Sequence, residues 1–277
     1  MKTSRKYFPL FLALMLGAVA CAVRSALMFL YTDDYGEYSG SRVLLYLLSA
    51  ALIAALICLF VVTRMNTKGY SARANSGAGF IPVFVYACAG FFQSFSLVFM
   101  AYTFIQSRAF FEGDTRISAF LLICASLFTA VLCFIKASGK EAKLKRSPFY
   151  SLMYIFPVAW SLVRLFVLFI NYSAMAIYTT EKLQILSLVM LTVYFLYEAR
   201  LYYLQKPLSL SAYATVSAAT LVLVPLSALP SFLKSLFISQ SANIGEPILC
   251  LVELAMCAFA AVGFASALKD RRNTDEN

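Results

Sequence analysis

Histidine is absent from this 277-residue chain. That single absence removes imidazole metal ligands, Ser-His and Cys-His nucleophiles, and imidazole proton relays. Charge is also scarce, at 13% of residues, where soluble domains carry about 25%. No aspartate falls within any long apolar run, which excludes an intramembrane aspartyl pair. The seven cysteines (Cys21, Cys58, Cys88, Cys124, Cys133, Cys250, Cys257) contain no Cys-x-x-Cys pair and all lie in apolar runs. They read as small hydrophobes rather than as a redox dithiol or zinc ribbon. No metal or cofactor is expected, and of enzyme chemistries only an Arg/Glu-centred transfer on a lipid survives. The reading therefore leans against an enzyme.

Apolar sequence is what the chain has in abundance: 62% of residues are hydrophobic and the mean hydropathy is +0.80. Runs of bilayer-spanning length cover 8–30, 43–63, 79–102, 117–135, 149–172, 183–204, 212–236 and 247–268. They predict an all-α fold, a polytopic membrane bundle of eight transmembrane helices in one domain, 1–277. The basic start MKTSRKY imitates a signal peptide, but the first run continues past Cys21 and is expected to be retained. Short loops carry the breakers, among them Gly-Glu-Pro at 245–247. The seventh run is interrupted by Pro225 and Pro230, which a membrane helix tolerates when neighbours serve the freed carbonyls.

The net charge of +10 is dispersed between apolar runs, so no continuous basic surface for nucleic acid is expected. It sets orientation instead. With the N-terminus inside, the N-tail, second, fourth and sixth loops and C-tail hold 3, 3, 5, 2 and 3 Lys or Arg. The outer segments hold only Arg42, Arg108, Arg116, Lys182 and Lys234. The positive-inside rule then places both termini in the cytoplasm, in a multi-pass protein of the plasma membrane. A weak four-plus-four parallel repeat is also read, laying VACAVRSALMFL (19–30) on AWSLVRLFVLFI (159–170) so that Arg24 matches Arg164.

Those two arginines are the charged residues that most need explaining. A cation inside a span is costly, by about 2.5–3.5 kcal/mol on insertion scales. Counting along their helices puts Arg24, Arg164 and Glu253 of the last run about 9–11 Å below the outer boundary. Gln93 lies slightly deeper, with Ser94 and Ser96 beside it. On the fifth run Trp160, Arg164 and Asn171 share a broad face, and Pro157 is placed to open the helix. One reading is a polar cavity open to the outside with a cationic excess. The other is structural: Arg164 pairs with Glu253, and Arg24 snorkels to headgroups.

Elsewhere, Glu198 and Arg200, flanked by Tyr194, Tyr197, Tyr202 and Tyr203, read as an inner-interface aromatic belt with anchoring charges. The basic loop 136–146 reads as a lipid-headgroup contact and a candidate docking point for a protein partner. Gly17 and Cys21 on the first run, and Cys257, Ala261 and Ala265 on the last, mark close-packing faces. The acidic outer stretch TDDYGEYSG (32–40) reads as a solvated loop.

The pattern P-x-x-W-x-x-x-R (Pro157, Trp160, Arg164), followed by a helix ending FLYEAR at 195–200, resembles uncharacterised multi-spanning proteins of Gram-positive anaerobic bacteria. The resemblance covers the fifth and sixth spans and implies no activity. From the sequence, the expected function is that of a non-catalytic membrane scaffold, sensor or assembly component. The alternative is a small-solute transporter for anionic or carboxylate-bearing molecules, with its cavity at Arg24, Arg164 and Glu253.

Overall fold

In an apolar medium a chain must satisfy its own backbone groups, and a helix does so within each segment. The computed structural model describes residues 7–31, 42–72, 79–106, 108, 115–139, 147–173, 179–204, 208–237, 245–269 and 272–273. Its helices are α1 (Phe8–Tyr31), α2 (Arg42–Thr67), α3 (Phe80–Ile105), α4 (Arg116–Ala137), α5 in two segments (Pro148–Met153 and Ile155–Ser173), α6 (Thr179–Leu204), α7 (Leu210–Phe237) and α8 (Gly245–Lys269). Eight helices are long and apolar enough to cross a membrane, matching the eight predicted runs. Some overrun the predicted ends, because the hydrogen-bond ladder continues past the apolar stretch. Lys68 N, for instance, still donates to Arg64 O at 3.0 Å beyond the end of α2. The loop 32–40 and the residues 140–146 of the basic loop lie outside the described residues.

The break in α5 follows from Pro157. Proline lacks an N–H, and its ring crowds the carbonyl four residues earlier, here that of Met153. The helix stops at Met153, Tyr154 N donates to Ser151 O at 3.3 Å, and a fresh helix starts at Ile155. Pro157 therefore does open the helix, one turn before itself.

Helix α7 instead stays continuous through Pro225 and Pro230. Pro225 leaves the Leu221 carbonyl without its helical donor, and α1 packs onto that point. Gly17 comes so close that a Cβ there would stand 2.6 Å from Leu221 O. One turn on, the Cys21 thiol donates to Pro225 O at 3.2 Å. Residues 17 and 21 thus face 221 and 225, so α1 runs parallel to α7 on its small-residue face, as the spacing predicts.

Helices α3 to α8 form a ring, in the order α3–α4–α5–α6–α7–α8, closed by packing of α8 on α3. Helices α1 and α2 pack on α7 outside it. The halves do not pack alike: α6 lies along α5 and α7 of its own half, whereas α2 lies along α1 and α7 of the other half. Large apolar side chains cover the outside, with Phe80 82%, Ile105 81% and Ile117 76% exposed. Such a surface fits lipid and not water.

A small sheet, not anticipated from the sequence, ties one end together. Strand β1 (Tyr70–Ala72) lies between β2 (Leu208–Ser209) and β3 (Arg272–Asn273), antiparallel to both. Ser71 pairs with Ser209, and Tyr70 with Asn273. The segments after α2, before α7 and after α8 therefore meet at one end of the bundle, below called the sheet end.

Candidate functional site

Toward the far end of the ring, Arg164 on α5 has a fully buried side chain. Its Nη2 donates to Glu246 Oε2 at 2.6 Å and its Nη1 to Oε1 at 3.3 Å, a two-point fork suited to guanidinium and carboxylate. Its Nε lies 3.6 Å from Glu253 Oε1. Both acids come from α8, seven residues apart and so on one face. Glu246 stands in the first turn of α8, where the helix dipole favours a negative charge. Its side chain is 31% exposed, so the cluster reaches solvent through this residue.

The expected pairing of Arg164 with Glu253 is present, and Glu246 is an addition that the sequence reading missed. Glu246 was read only as part of the Gly-Glu-Pro breaker. Its spacing of seven from Glu253 was the signal that placed it on the same face. Arg24 departs from expectation. It is 6% exposed, has no ion pair among the described residues, and its Nη1 has no hydrogen-bond partner among them. The physical reason is lateral: α1 packs on α7 outside the ring, so equal depth does not bring Arg24 to the cluster. Trp160 and Gln93 are fully buried. Asn171 belongs to α5, but its side chain lies outside the described residues.

A second charged layer occupies the ring nearer the sheet end. Lys136 of α4 is 5% exposed, and its ammonium sits among four aromatic rings. The centroids of Phe259, Tyr202, Tyr154 and Tyr86 are 4.5, 4.8, 5.0 and 5.2 Å from Nζ. Lys136 also pairs with Glu198 of α6, Nζ to Oε2 being 3.7 Å. The other oxygen, Oε1, accepts from the Tyr194 hydroxyl at 2.8 Å and the Tyr213 hydroxyl at 2.5 Å.

This corrects two expectations. Lys136 is not a headgroup contact at the start of the basic loop, and Glu198 with Tyr194 and Tyr202 is buried rather than set in an interfacial belt. Glu198 is 4% and Tyr194 0% exposed. Tyr194, Glu198 and Tyr202 recur every fourth residue, a single helical stripe facing the ring interior. Arg200, off that stripe, is exposed.

Four helices of the cage, α3, α4, α5 and α8, connect the two layers. Two turns from Tyr86 along α3 lies Gln93; two turns from Lys136 along α4 lies Thr129. About two turns from Tyr154 along α5 lies Trp160, and from Phe259 along α8 lies Glu253. These four stand roughly 9–11 Å from the Lys136 cage. One further turn brings Ser96, Ser126 and Arg164. All seven residues are fully buried. Six of their uncharged polar atoms have no hydrogen-bond partner among the described residues: Gln93 Oε1 and Nε2, Ser96 Oγ, Ser126 Oγ, Thr129 Oγ1 and Trp160 Nε1. Donors and acceptors are both represented, on three helices, at about the level of Glu253 and Arg164 along the bundle.

No family model, curated protein or solved structure matches this chain. The fold and this site define the class: a polytopic helical bundle with a polar layer held between two buried ion-pair layers.

Proposed function

We propose that the chain is a membrane carrier that binds a small polar solute in the Gln93–Thr129–Trp160–Glu253 layer. The observation that carries this reading is the set of six uncharged polar atoms buried in that layer and one turn beyond it without partners among the described residues. Leaving a buried polar group unmet costs about 1–3 kcal/mol, so six together would cost on the order of 10 kcal/mol. That is as large as the whole stability of an ordinary domain, about 5–15 kcal/mol. A layer of this kind is sustained when water or a solute meets it, and a carrier needs such a site. The flanking pairs, Arg164 with Glu246 and Lys136 with Glu198, serve as closures toward the far end and the sheet end.

Charge selects the solute class. One guanidinium faces two carboxylates at the far-end cluster, while Arg24 stays outside the ring. The excess is acidic, so the site suits a neutral polar or amine-bearing solute rather than an anion. Orientation follows the cation distribution: the sheet end and both termini face the cytoplasm of a plasma-membrane protein. In this reading the protein is not an enzyme. A scaffold role through the loop 136–146 keeps only its residues beyond Lys136, which the cage engages.

The test is a thermal-shift screen of the purified chain against amino acids, polyamines, polyols and sugars. A neutral or amine-bearing solute is expected to raise the Tm, and the effect to vanish in Gln93→Leu/Thr129→Val while that protein stays folded. The reading fails if no solute acts and the double variant supports full cellular function.

A further inference from the structure

Away from the ring interior, the sheet end carries an open cleft of about 490 Å³. It is a notch at the start of α7, where α2 and α6 both pack on α7. From α2 come Phe60, Arg64 and Lys68, four residues apart and therefore one stripe. From β2 and the first turns of α7 come Ser209, Ser211 and Thr215, the Thr215 hydroxyl donating to Ser211 O at 2.8 Å. We propose that this cleft binds the phosphate group of an anionic lipid in the leaflet at the sheet end.

Three observations meet there. Arg64 and Lys68 are exposed, and among the described residues neither has a carboxylate within ion-pair distance. The Arg64 guanidinium lies 6.0 Å from the centre of the Phe60 ring. Among the described residues no acidic side chain lines the cleft, so none of them supplies a counter-charge to the two cations. The start of α7 adds backbone N–H groups that no helical carbonyl can receive, and these favour a phosphate oxygen. The volume falls within the roughly 300–1,000 Å³ of ordinary ligand sites.

The choice of a lipid over a soluble phosphate rests on position and on the other half of the lining. Phe60 is 45% exposed on the apolar length of α2, and Tyr197, Ala212 and Val216 complete an apolar wall. The cations begin one turn beyond Phe60, where α2 leaves its apolar stretch. A headgroup entering sideways would set its phosphate against Arg64 and Lys68 and its glycerol and upper acyl carbons against that wall. Basic pockets between membrane helices at this level recognise anionic headgroups by such a division.

The experiment compares phosphatidylglycerol with phosphatidylcholine, added to the delipidated full chain in neutral detergent, using native mass spectrometry and thermal shift. Wild type is expected to retain phosphatidylglycerol selectively. Arg64→Ala/Lys68→Ala is expected to weaken retention by about tenfold or more, while Arg64→Lys/Lys68→Arg preserves most of it. Arg200→Ala, which removes an exposed cation outside the cleft, is expected to leave it unchanged. Because the substituted side chains are exposed, the variants are expected to remain monodisperse, which gel filtration checks. Equal retention in the Arg64→Ala/Lys68→Ala protein overturns the proposal. So does an equal loss in Arg200→Ala, or displacement of the lipid by millimolar inorganic phosphate, which would make the site one for a soluble phosphate. None of these results bears on the interior layer, so the two readings stand or fall separately.

Discussion

Gly263 of α8 and Glu198 of α6 stand so close that a Cβ on residue 263 would lie 2.9 Å from Glu198 Oε1. It would also press on the Tyr194 hydroxyl and lie 2.9 Å from that of Tyr213. The absence of a side chain at 263 is what lets α8 close over the hydrogen-bonded carboxylate. Gly263→Ala is therefore expected to destabilise the protein by about 1–3 kcal/mol through overpacking. Adding Tyr194→Phe removes the atom nearest the new methyl group and is expected to restore part of the loss. Thermal unfolding of the single and double variants in detergent checks this. A neutral Gly263→Ala would show that the contact is loose.

The far-end cluster makes an ordered set of expectations. Arg164→Leu leaves two carboxylates without their cation, Glu253 with only 1% of its side chain exposed. Breaking a buried pair from one side costs about 3–5 kcal/mol, so this variant is expected to fold poorly. Glu246→Gln keeps the Glu253 pairing and leaves a partly hydrated position, so a smaller loss, about 1–2 kcal/mol, is expected. Arg164→Leu/Glu253→Leu removes the buried charges together and is expected to recover the fold. If the proposed carrier function is correct, this double variant folds but binds no solute. A folded double variant with full solute binding would remove Glu253 and Arg164 from the site.

At the other layer, Lys136→Met preserves much of the side-chain volume while deleting the ammonium from its aromatic cage. Glu198 then faces the ring interior without its cation, and a loss of about 3–5 kcal/mol is expected. Lys136→Met/Glu198→Gln is expected to regain most of it, because the Tyr194 and Tyr213 hydroxyls still have an amide oxygen to donate to. Circular dichroism and thermal unfolding of these two variants and of Glu198→Gln alone measure the coupling directly. Additive single effects, with no recovery in the double variant, would mean that the 3.7 Å ion pair contributes nothing.

How much of this was legible beforehand differs by level. Segment length and apolar content sufficed for eight helices, because a bilayer allows no other use of such runs. Depth counting sufficed to pair Arg164 with Glu253. It failed for Arg24, because depth is one coordinate and the arrangement of helices around the ring supplies the other two. Glu246, read only as part of a loop breaker, and Lys136, read as a headgroup contact, were missed for one shared reason: each lies near a helix end, where the sequence reads as loop. A reading by face would have done better, since Glu246 is two turns from Glu253 and Lys136 is two turns from Thr129. The aromatic cage was out of reach of either method. Tyr86, Tyr154, Tyr202 and Phe259 come from four helices and are brought together only by tertiary packing.

Thr129 offers the sharpest discrimination between a merely structural interior and a binding layer. Its hydroxyl is fully buried and has no hydrogen-bond partner among the described residues. Valine has nearly the same shape and no hydroxyl to satisfy. If the Thr129 oxygen is unmet, Thr129→Val relieves a desolvation penalty of about 1–3 kcal/mol, and the Tm is expected to rise by several degrees. The same substitution removes one hydrogen-bonding group from the proposed site, so solute-induced thermal shifts are expected to shrink. Stability gained together with binding lost is the behaviour of a position held for function. A lower Tm in Thr129→Val would show that the hydroxyl already has a structural partner. A higher Tm with solute shifts intact would place the binding layer elsewhere in the ring.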